Sequence, residues 1–326
     1  MIVLTGGAGF IGSNIAADLN DAGQADLVLA DTLGVGAKWR NIAKRRFFDF
    51  IFPPEIESFL AARRDVSAVI HMGANSSTAA RDGDEIIRSN FRLSARLWDW
   101  CARSRVPLIY ASSAATYGGG EFGFLDDDAE AALAKLRPLN LYGWSKHAFD
   151  RWAVDQASKG FAPPQWVGLK FFNVYGPNEG HKGEMQSLVA KYWSLAADER
   201  PLRLFKSYKP DVADGDQSRD FIYVKDCSAA VLWMLKNPEV SGLFNLGTGR
   251  ARSFKDLMLA VGLALSKKIG FEFVDMPESA REHYQYLTQA DMTKLRRAGY
   301  EAQFATIEAG VRDYVLNYLI QPDPYR

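Results

Sequence analysis

Short apolar runs alternate with longer stretches of helical pattern through the first half of the chain. The clearest runs are residues 2–4, 27–30, 66–70 and 107–111, and stretches of helical pattern separate them. Strands that alternate with helices in this way form parallel sheets that are covered on both faces. The pattern therefore predicts an α/β fold with a doubly wound parallel sheet.

A glycine-rich turn follows the first predicted strand. Gly7, Gly9 and Gly12 have the spacing G-x-G-x-x-G, and helical sequence begins at Ser13. Glycines at such a turn let the backbone approach a pyrophosphate, and the helix N-terminus offers unpaired N–H groups and a positive dipole end. Because the motif lies between a strand and a helix, it favours a Rossmann-like dinucleotide site over a turn without a ligand.

Two charged residues follow the second predicted strand. Asp31 ends that strand, at a position where an acid can hold the adenosine ribose. Lys38 lies in the loop that comes next. Its ammonium could lie against a 2′-phosphate, which would favour NADP over NAD, or it could be a solvated loop lysine. The sequence leaves both interpretations open.

The composition narrows the class of protein. The chain has 326 residues, 48% of them hydrophobic and 24% charged, and its formal net charge is zero without a basic stripe. These values are typical of a soluble globular protein and argue against a nucleic-acid partner. The first strand begins at residue 2 and no apolar run approaches membrane-spanning length, so we expect neither a signal peptide nor a membrane partner. Cys101 and Cys227 lack metal-type spacing, which suggests buried thiols in a reducing cytoplasm.

Small residues follow the predicted strand at 66–70. The sequence His-Met-Gly-Ala-Asn-Ser-Ser at 71–77 would let a cofactor come close to the strand end. His71 itself is expected to be packed or hydrogen-bonded rather than catalytic. Further along, residues 121–137 are acidic and polar, and we predict that they form a surface excursion.

A serine, a tyrosine and a lysine form the candidate catalytic group. Ser113 lies at the end of the predicted strand at 107–111, and Tyr142 and Lys146 lie four residues apart on one face of the next helix. An ammonium near a phenol favours the phenolate, so we expect the pKa of Tyr142 to move toward neutrality. Such a phenol can act as general acid or base on an alcohol, and Ser113 could hydrogen-bond the reacting oxygen. A Tyr-x-x-x-Lys pair is common, but the glycine motif and the serine-bearing strand end make it specific here.

Seven segments together carry a family resemblance. They are Thr-Gly-Gly-Ala-Gly-Phe-Ile-Gly at 5–12, Tyr-Ala-Ser-Ser-Ala-Ala-Thr-Tyr-Gly at 110–118, Tyr-Gly-Trp-Ser-Lys at 142–146, Phe-Asn-Val-Tyr-Gly-Pro-Asn-Glu-Gly-His-Lys-Gly at 172–183, Arg-Asp-Phe-Ile-Tyr-Val at 219–224, Phe-Asn-Leu-Gly-Thr-Gly-Arg at 244–250 and Tyr-Gln-Tyr-Leu-Thr-Gln-Ala-Asp at 284–291. They resemble the extended short-chain dehydrogenase/reductases that modify nucleotide sugars. Within them, Glu-Gly-His-Lys-Gly and the two alanines after Ser113 are similar to the heptose 6-epimerases.

The resemblance implies an organisation and a reaction. Residues 1–172 would form a domain that binds NADP, with NAD possible, and 219–246 would return to it. Residues 173–326 would mainly form a smaller α/β domain that binds ADP-heptose, and the site would lie in the cleft. The reaction would invert C6 through transient oxidation and reduction. The resemblance also implies a cytoplasmic homo-oligomer, with a pentamer expected, and a role in making a precursor of the lipopolysaccharide inner core.

The resemblance assigns roles to individual residues. Ser113, Tyr142 and Lys146 would be the catalytic triad, and Lys182 either a second acid/base or a lysine that binds a substrate phosphate. Cofactor contacts would come from Gly6, Gly7, Gly9, Phe10, Ile11, Gly12, Asp31, Thr32, Lys38, Met72, Gly73, Ala74, Asn75, Ser76, Asn90, Tyr142, Lys146 and Val174. Substrate contacts would come from Ser113, Asn173, Lys182, Glu184, Lys191, Leu204, Phe205, Lys206, Ser207, Arg219 and Tyr284, with Arg219 on the diphosphate.

Other functions remain open at this stage. A 4,6-dehydratase needs an Asp-Glu pair after the serine strand, and the chain has alanine and Thr116 there. A UDP-hexose 4-epimerase would share the triad, and a non-catalytic NADP-binding scaffold would share the glycine turn. Glu184 and Lys191, Pro53 and the long stretch 208–218 depart from the heptose-epimerase pattern, which bears on the substrate contacts and on the NADP preference.

Overall fold

The computed structural model describes residues 1–281 and 284–326. Its strands are β1 Ile2–Thr5, β2 Leu27–Ala30, β3 Asp49–Ile51, β4 Ala68–His71, β5 Leu108–Ser113, β6 Trp166–Phe171, β7 Asn173–Tyr175, β8 Leu202–Phe205, β9 Ser218–Tyr223, β10 Gly242–Leu246, β11 Ala251–Ser253 and β12 Phe271–Val274. Its α-helices are α1 Phe10–Asp21, α2 Ile56–Ala61, α3 Gly83–Ile86, α4 Leu93–Ser104, α5 Glu130–Leu133, α6 Leu141–Ser158, α7 Leu188–Ala197, α8 Val224–Lys236, α9 Phe254–Leu265, α10 Glu278–Arg281, α11 Thr293–Arg297 and α12 Ile307–Tyr314.

A seven-stranded sheet in the order β10-β6-β5-β4-β1-β2-β3 forms the centre of the molecule. All its neighbouring strands are parallel, and Thr5 at the end of β1 lies beside His71 at the end of β4. From β1, the chain adds β2 and then β3 on one side. It then crosses back to the other side of β1 and adds β4, β5, β6 and finally β10 in the opposite direction. The predicted doubly wound parallel fold is confirmed. Ligands of such sheets bind where the direction of building reverses, here at the carboxyl ends of β1 and β4.

Helices cover the large sheet because its strands are almost wholly apolar and buried. Helix α1 packs against α8, and α4 packs against α6. A π-helical segment, Ile87–Arg92, joins α3 to α4 and carries the buried Asn90. Among the described residues, none of the helices combines the length and the apolar character that a membrane span requires.

The remaining strands build two small sheets. Strand β9 pairs in parallel with β7 and antiparallel with β11, and β8 pairs in parallel with β12. Helices α7, α9 and α12 pack around a second apolar cluster that includes Val189, Leu257 and Val311. Within the segment 219–246, β10 joins the large sheet and α8 packs on α1, whereas β9 belongs to the small sheet. The division at residue 172 stays a prediction.

Residues 121–137 form the predicted surface excursion, since most of them are exposed. Three of them, Asp126, Leu133 and Leu136, are buried and anchor the segment. The Asp126 carboxylate accepts a hydrogen bond of 2.8 Å from the backbone N–H of Asn245 at the edge strand β10. The segment is acidic in composition, but a few apolar side chains and one buried acid hold it against the sheet.

Candidate functional site

The glycine-rich turn has a shape that only glycine permits. Gly6 has a φ of +65°, and its carbonyl accepts a hydrogen bond of 2.9 Å from the N–H of Gly9. A Cβ atom added at Gly12 would clash with the Gly6 carbonyl oxygen, and one added at Gly6 would clash with the backbone of Gly73. Helix α1 begins at Phe10 without a side-chain cap, so its first N–H groups can bind an anion. The turn therefore fits a dinucleotide pyrophosphate.

A cavity of about 570 Å³ opens beside this turn. It lies at the carboxyl ends of β1, β4, β5 and β6, where the direction of strand building reverses. Its lining residues are Gly6, Gly9, Phe10, Ile11, Gly12, Asp31, Lys38, Met72, Gly73, Ala74, Ser76, Thr78, Ala111, Ser112, Ser113, Tyr142, Lys146, Phe171, Phe172, Asn173, Val174, Tyr175, His181, Lys182, Glu184, Met185, Gln186, Ser187, Leu188, Lys191, Phe221 and Phe254.

An ion pair closes one end of the cavity. The Asp31 carboxylate accepts hydrogen bonds from the backbone N–H groups of Ala8, at 2.9 Å, and Thr32, at 2.7 Å. The Lys38 ammonium lies 2.6 Å from the same carboxylate and also donates to the Thr32 carbonyl. Asp31 is thus fixed at the end of β2. Lys38 is not a freely solvated lysine, and its charge offsets that of Asp31.

The candidate triad assembles where β5 meets α6. Helix α6 begins after Asn140, whose side chain caps it by accepting a bond of 2.8 Å from the N–H of Gly143. This start places Tyr142 in the first turn and Lys146 one turn later. The Ser113 hydroxyl, at the end of β5, lies beside the Tyr142 phenol. The Lys146 ammonium donates to the Ala111 carbonyl at 2.8 Å.

Burial controls the acidity of the tyrosine and the lysine. It raises the pKa of Tyr142, a shift that the nearby Ser113 hydroxyl opposes and the nearby Asp150 carboxylate adds to. Burial lowers the pKa of Lys146 to about 8, and Asp150 partly offsets that effect. The prediction that Lys146 brings the pKa of Tyr142 toward neutrality is therefore wrong for this structure. The cost of burying a phenolate dominates, and the ammonium bonds a carbonyl rather than the phenol.

Lys182 lies on a short 3₁₀ segment, Gly180–Met185, and lines the same cavity. Its ammonium is 5.1 Å from the ring centroid of Phe10, a residue of the glycine-rich turn. Burial lowers the pKa of Lys182, and Glu179 opposes that shift. The buried Glu179 also holds the segment in place, because it accepts bonds of 2.6 and 2.7 Å from the backbone and hydroxyl of Ser187.

His181 joins this segment to the cofactor side of the cavity. Its Nδ1 lies 3.1 Å from the side-chain nitrogen of Asn41, which also donates to the Ala8 carbonyl of the glycine-rich turn. Burial and the charges of Lys38 and Lys182 lower the pKa of His181 to about 4. The imidazole is therefore neutral at physiological pH.

Comparisons with known proteins agree with this geometry. Residues 2–247 match the model of the NAD dependent epimerase/dehydratase family. The chain belongs to this family. Two relatives named ADP-L-glycero-D-manno-heptose-6-epimerase match over the full length of both chains, at 46% identity in Nitratidesulfovibrio vulgaris and 45% in Fusobacterium nucleatum.

Two solved structures extend the likeness within the epimerase/dehydratase family. The Helicobacter pylori ADP-L-glycero-D-manno-heptose-6-epimerase has a TM-score of 0.78 at 25% identity, covering 97% of this chain and 95% of its own. The Thermus thermophilus UDP-glucose 4-epimerase, solved with NAD, has a TM-score of 0.74 at 28% identity, covering 95% of this chain and 96% of its own. The family resemblance predicted from the sequence is confirmed.

Most of the predicted cofactor residues of this family member line the cavity, but four do not. Gly7 packs on the Leu29 side chain, and Thr32 contributes its backbone to Asp31. The Asn90 amide bonds both backbone groups of Asn75, at 2.8 and 2.9 Å. Asn90 and Asn75 thus shape the loop after β4 from behind. Their predicted contact with a cofactor stays a prediction.

The predicted substrate residues divide into two groups. Five of them line the cavity: Ser113, Asn173, Lys182, Glu184 and Lys191. Glu184 and Lys191 pair with each other at 3.0 Å. The second group lies outside the lining and comprises Leu204, Phe205, Lys206, Ser207, Arg219 and Tyr284.

Aromatic contacts connect this second group to the cavity. The Arg219 guanidinium lies 5.2 Å from the ring of Tyr284 and 5.5 Å from the ring of Phe254, which lines the cavity. Tyr284 in turn meets Phe205 edge-on at 6.3 Å. Two members of the group bond elsewhere, because Lys206 pairs with Asp275 and the Ser207 N–H donates to Asp214.

Sequence reasoning missed part of the lining. The missed residues are Thr78, Ala111, Ser112, Phe171, Phe172, Tyr175, His181, Met185, Gln186, Ser187, Leu188, Phe221 and Phe254. Those at the ends of β5 and β6 follow from the rule that ligands bind at the carboxyl ends of parallel strands. His181 lies inside a motif that carried the resemblance. Nothing in the local sequence around Ser187 or Phe254 pointed to the cavity.

Proposed function

We propose that the protein converts ADP-D-glycero-D-manno-heptose to ADP-L-glycero-D-manno-heptose by inverting C6. One observation carries the proposal: a single cavity holds the dinucleotide turn, the group Ser113, Tyr142 and Lys146, and the separate Lys182. The full-length relatives that bear this enzyme name support the choice of substrate. The product would serve the lipopolysaccharide inner core.

The chemistry of the substrate requires a redox route. The carbon to be inverted is an unactivated carbinol without an acidic proton, so its configuration changes through a ketone that is reduced on its opposite face. A bound nicotinamide dinucleotide supplies the hydride acceptor for the first step and the donor for the second. The glycine-rich turn, Asp31 and the loop after β4 would hold it. No cofactor is consumed overall.

Tyr142 is proposed to move the proton of the reacting hydroxyl. Its phenolate takes that proton as the ketone forms, and Ser113 hydrogen-bonds the reacting oxygen. The raised pKa of Tyr142 means that the phenolate needs a nearby positive charge. Lys146, one turn along α6, is the proposed source, and to act it would have to turn from the Ala111 carbonyl toward the phenol.

Lys182 is proposed as the second acid/base. The ketone must turn to present its other face, and one tyrosine is poorly placed for both orientations. The ammonium of Lys182 lies on a segment outside the triad, and burial lowers its pKa, which suits proton transfer. The competing role is binding of a substrate phosphate. The substitution Lys182→Ala distinguishes this role from acid/base catalysis.

NADP is proposed as the cofactor rather than NAD. An unpaired Asp31 would repel a 2′-phosphate, but the Lys38 ammonium at 2.6 Å offsets its charge and can also donate to a phosphate. We further propose that the protein is a cytoplasmic homo-oligomer, and that it is a pentamer. Light scattering coupled to gel filtration measures the subunit number.

The test of the substrate is a direct comparison. Purified protein is incubated separately with ADP-D-glycero-D-manno-heptose and with UDP-galactose, and the sugar products are followed by proton NMR. The second substrate represents the nearest alternative, a UDP-hexose 4-epimerase, which the likeness to the Thermus thermophilus enzyme keeps relevant. Turnover of the heptose alone supports the proposal. Turnover of the galactose alone would replace it, and turnover of neither would favour a non-catalytic scaffold.

A further inference from the structure

A chain of buried hydrogen bonds begins beneath the glycine-rich turn. The Thr5 hydroxyl accepts from the N–H of Gly73 at 3.1 Å and lies 2.6 Å from Nδ1 of His71. The other ring nitrogen, Nε2, is 2.8 Å from the Ser94 hydroxyl, which donates to the Asn90 carbonyl at 2.6 Å. Only one arrangement satisfies these bonds: Thr5 donates to Nδ1, and a neutral His71 donates from Nε2 to Ser94.

The Asn90 side chain extends this chain of hydrogen bonds toward the candidate triad. Its amide nitrogen donates to the Ser145 hydroxyl at 3.0 Å, and Ser145 donates to the backbone carbonyl of Tyr142 at 2.7 Å. Asn90 also bonds both backbone groups of Asn75, in the loop after β4. It lies in the π-helical segment before α4, a distortion that is common at functional sites.

This chain of hydrogen bonds thus connects two parts of the cavity wall through the protein interior. At one end, Gly73 lines the cavity within the loop after β4, and at the other end Tyr142 lines it from α6. Five side chains form the connection, and all are buried: Thr5, His71, Ser94, Asn90 and Ser145. Fully satisfied polar networks in a low-dielectric interior are rigid. Misplacing a catalytic group by about 1 Å can cost roughly 100-fold in rate.

We propose that this chain sets the distance between the cofactor loop, residues 72–76, and the phenol of Tyr142, with His71 as its central positioning residue. The inference rests on the proposed function, because it assigns the chain a purpose in that reaction. A network that serves stability alone would affect unfolding and leave turnover unchanged. A positioning chain of hydrogen bonds acts as one unit. Removing one of its hydrogen bonds therefore abolishes its effect on turnover, and removing a second one adds little.

The test is a double-mutant cycle at the two ends of the chain. Thr5→Val keeps the shape of the side chain and removes its hydroxyl, and Ser145→Ala removes the last donor. Thr5→Ser restores the hydroxyl, and Ser67→Ala is the control, since its hydroxyl bonds the Met1 carbonyl at the opposite end of β1. For each variant we would measure kcat, KM for the sugar nucleotide, the Kd for NADP and the melting temperature. If Thr5→Val does not fold, Ser94→Ala cuts the same chain and replaces it.

Each single cut is expected to lower kcat about 10- to 100-fold and to weaken NADP binding, with KM changed less than about twofold. The double variant should be about as slow as the slower single variant, because residues in one hydrogen-bond network are coupled. Thr5→Ser should recover most of the turnover. Single variants that melt earlier but retain kcat and NADP affinity, or a double variant whose defect is the product of the two, would overturn the proposal.

The NADP measurements separate this inference from the proposed function. If the wild-type protein does not turn over ADP-heptose, the proposed substrate fails, but the cycle can still be read from the NADP Kd. Non-additive losses of affinity in Thr5→Val and Ser145→Ala would then support the positioning chain. Additive losses would refute it, whatever the substrate is.

Discussion

The Lys170 ammonium lies 2.7 Å from the Asp150 carboxylate, and neither side chain is exposed to solvent. Tyr110 and Ser112, both on β5, donate to the same carboxylate at 3.1 and 2.6 Å. Lys170 also donates to the Thr116 hydroxyl at 2.9 Å. The pair therefore ties β5, β6 and α6 together directly beneath the candidate triad, with every polar partner satisfied from within the protein.

Removing one partner of this pair should be costly. Asp150→Asn leaves the Lys170 ammonium buried without a counter-charge, so we expect the free energy of unfolding to fall by about 3–5 kcal/mol. Asp155→Asn is the matched control on the same helix, because Asp155 pairs with Lys159 at 2.6 Å on the surface. The control should change stability by less than about 1 kcal/mol. Urea unfolding measures the free energy of unfolding of both variants. Equal small losses of stability would contradict the role of the buried pair.

Acid should destabilise the protein through its buried histidines. Burial, aided by the charge of Lys146, lowers the pKa of His71 to about 3. Between that value and the ordinary 6.5, the unfolded chain binds a proton that the folded chain does not. Stability therefore falls as the pH drops below 6.5, by up to about 1.4 kcal/mol per pH unit for this residue. Urea unfolding from pH 7 to 5 should show a shallower slope in His71→Gln, and an unchanged slope would contradict the assignment.

Tyr142→Phe and Lys182→Ala should each abolish most of the epimerisation. Loss of a placed acid/base costs roughly 10²–10⁴-fold in rate. Bound NADP should be retained, because the glycine-rich turn and Asp31 are untouched, and absorbance of the purified protein measures it. Lys159→Ala, at the exposed residue that follows the helix carrying Tyr142, is the control and should keep its turnover. Near-normal turnover in Lys182→Ala would exclude the two-base scheme and favour the phosphate-binding role.

Lys38→Ala should change the preference between cofactors. Without its ammonium, the Asp31 carboxylate repels a 2′-phosphate, so NADP affinity should fall about 10- to 100-fold, while NAD affinity changes little. Fluorescence titration with NADPH and NADH measures the two affinities. Lys44→Ala, which breaks a surface pair with Asp323, serves as the control. Equal losses for both cofactors would show that Lys38 acts on the fold rather than on the phosphate.

The local patterns of the sequence predicted the sheet, the glycine-rich turn and the side chains that gather at its edge. Strand runs, helix starts and strand-end residues depend on neighbours in the chain, so they can be inferred from it. The triad residues Ser113, Tyr142 and Lys146 all line the cavity as their elements suggested. Their catalytic roles stay predictions.

What the sequence did not reveal depends on contacts between distant segments. Asn41 and His181 meet across 140 positions of the chain, and no local pattern links them. The direction of the pKa shift of Tyr142 depends on its burial in the cavity wall, which spacing alone does not determine. The packing of Asp126 could not be predicted for the same reason, because its hydrogen-bond partner, Asn245, lies on β10.

The fate of the hydrogen on C6 tests the central claim most directly. ADP-heptose that carries deuterium at C6 is converted in ordinary water, and the product is examined by NMR and mass spectrometry. If the carbon is oxidised and then reduced by the same bound cofactor, the product keeps its deuterium at C6 and gains no hydrogen from solvent. Replacement of that deuterium by solvent hydrogen would contradict the account, because the inversion would then proceed by proton removal.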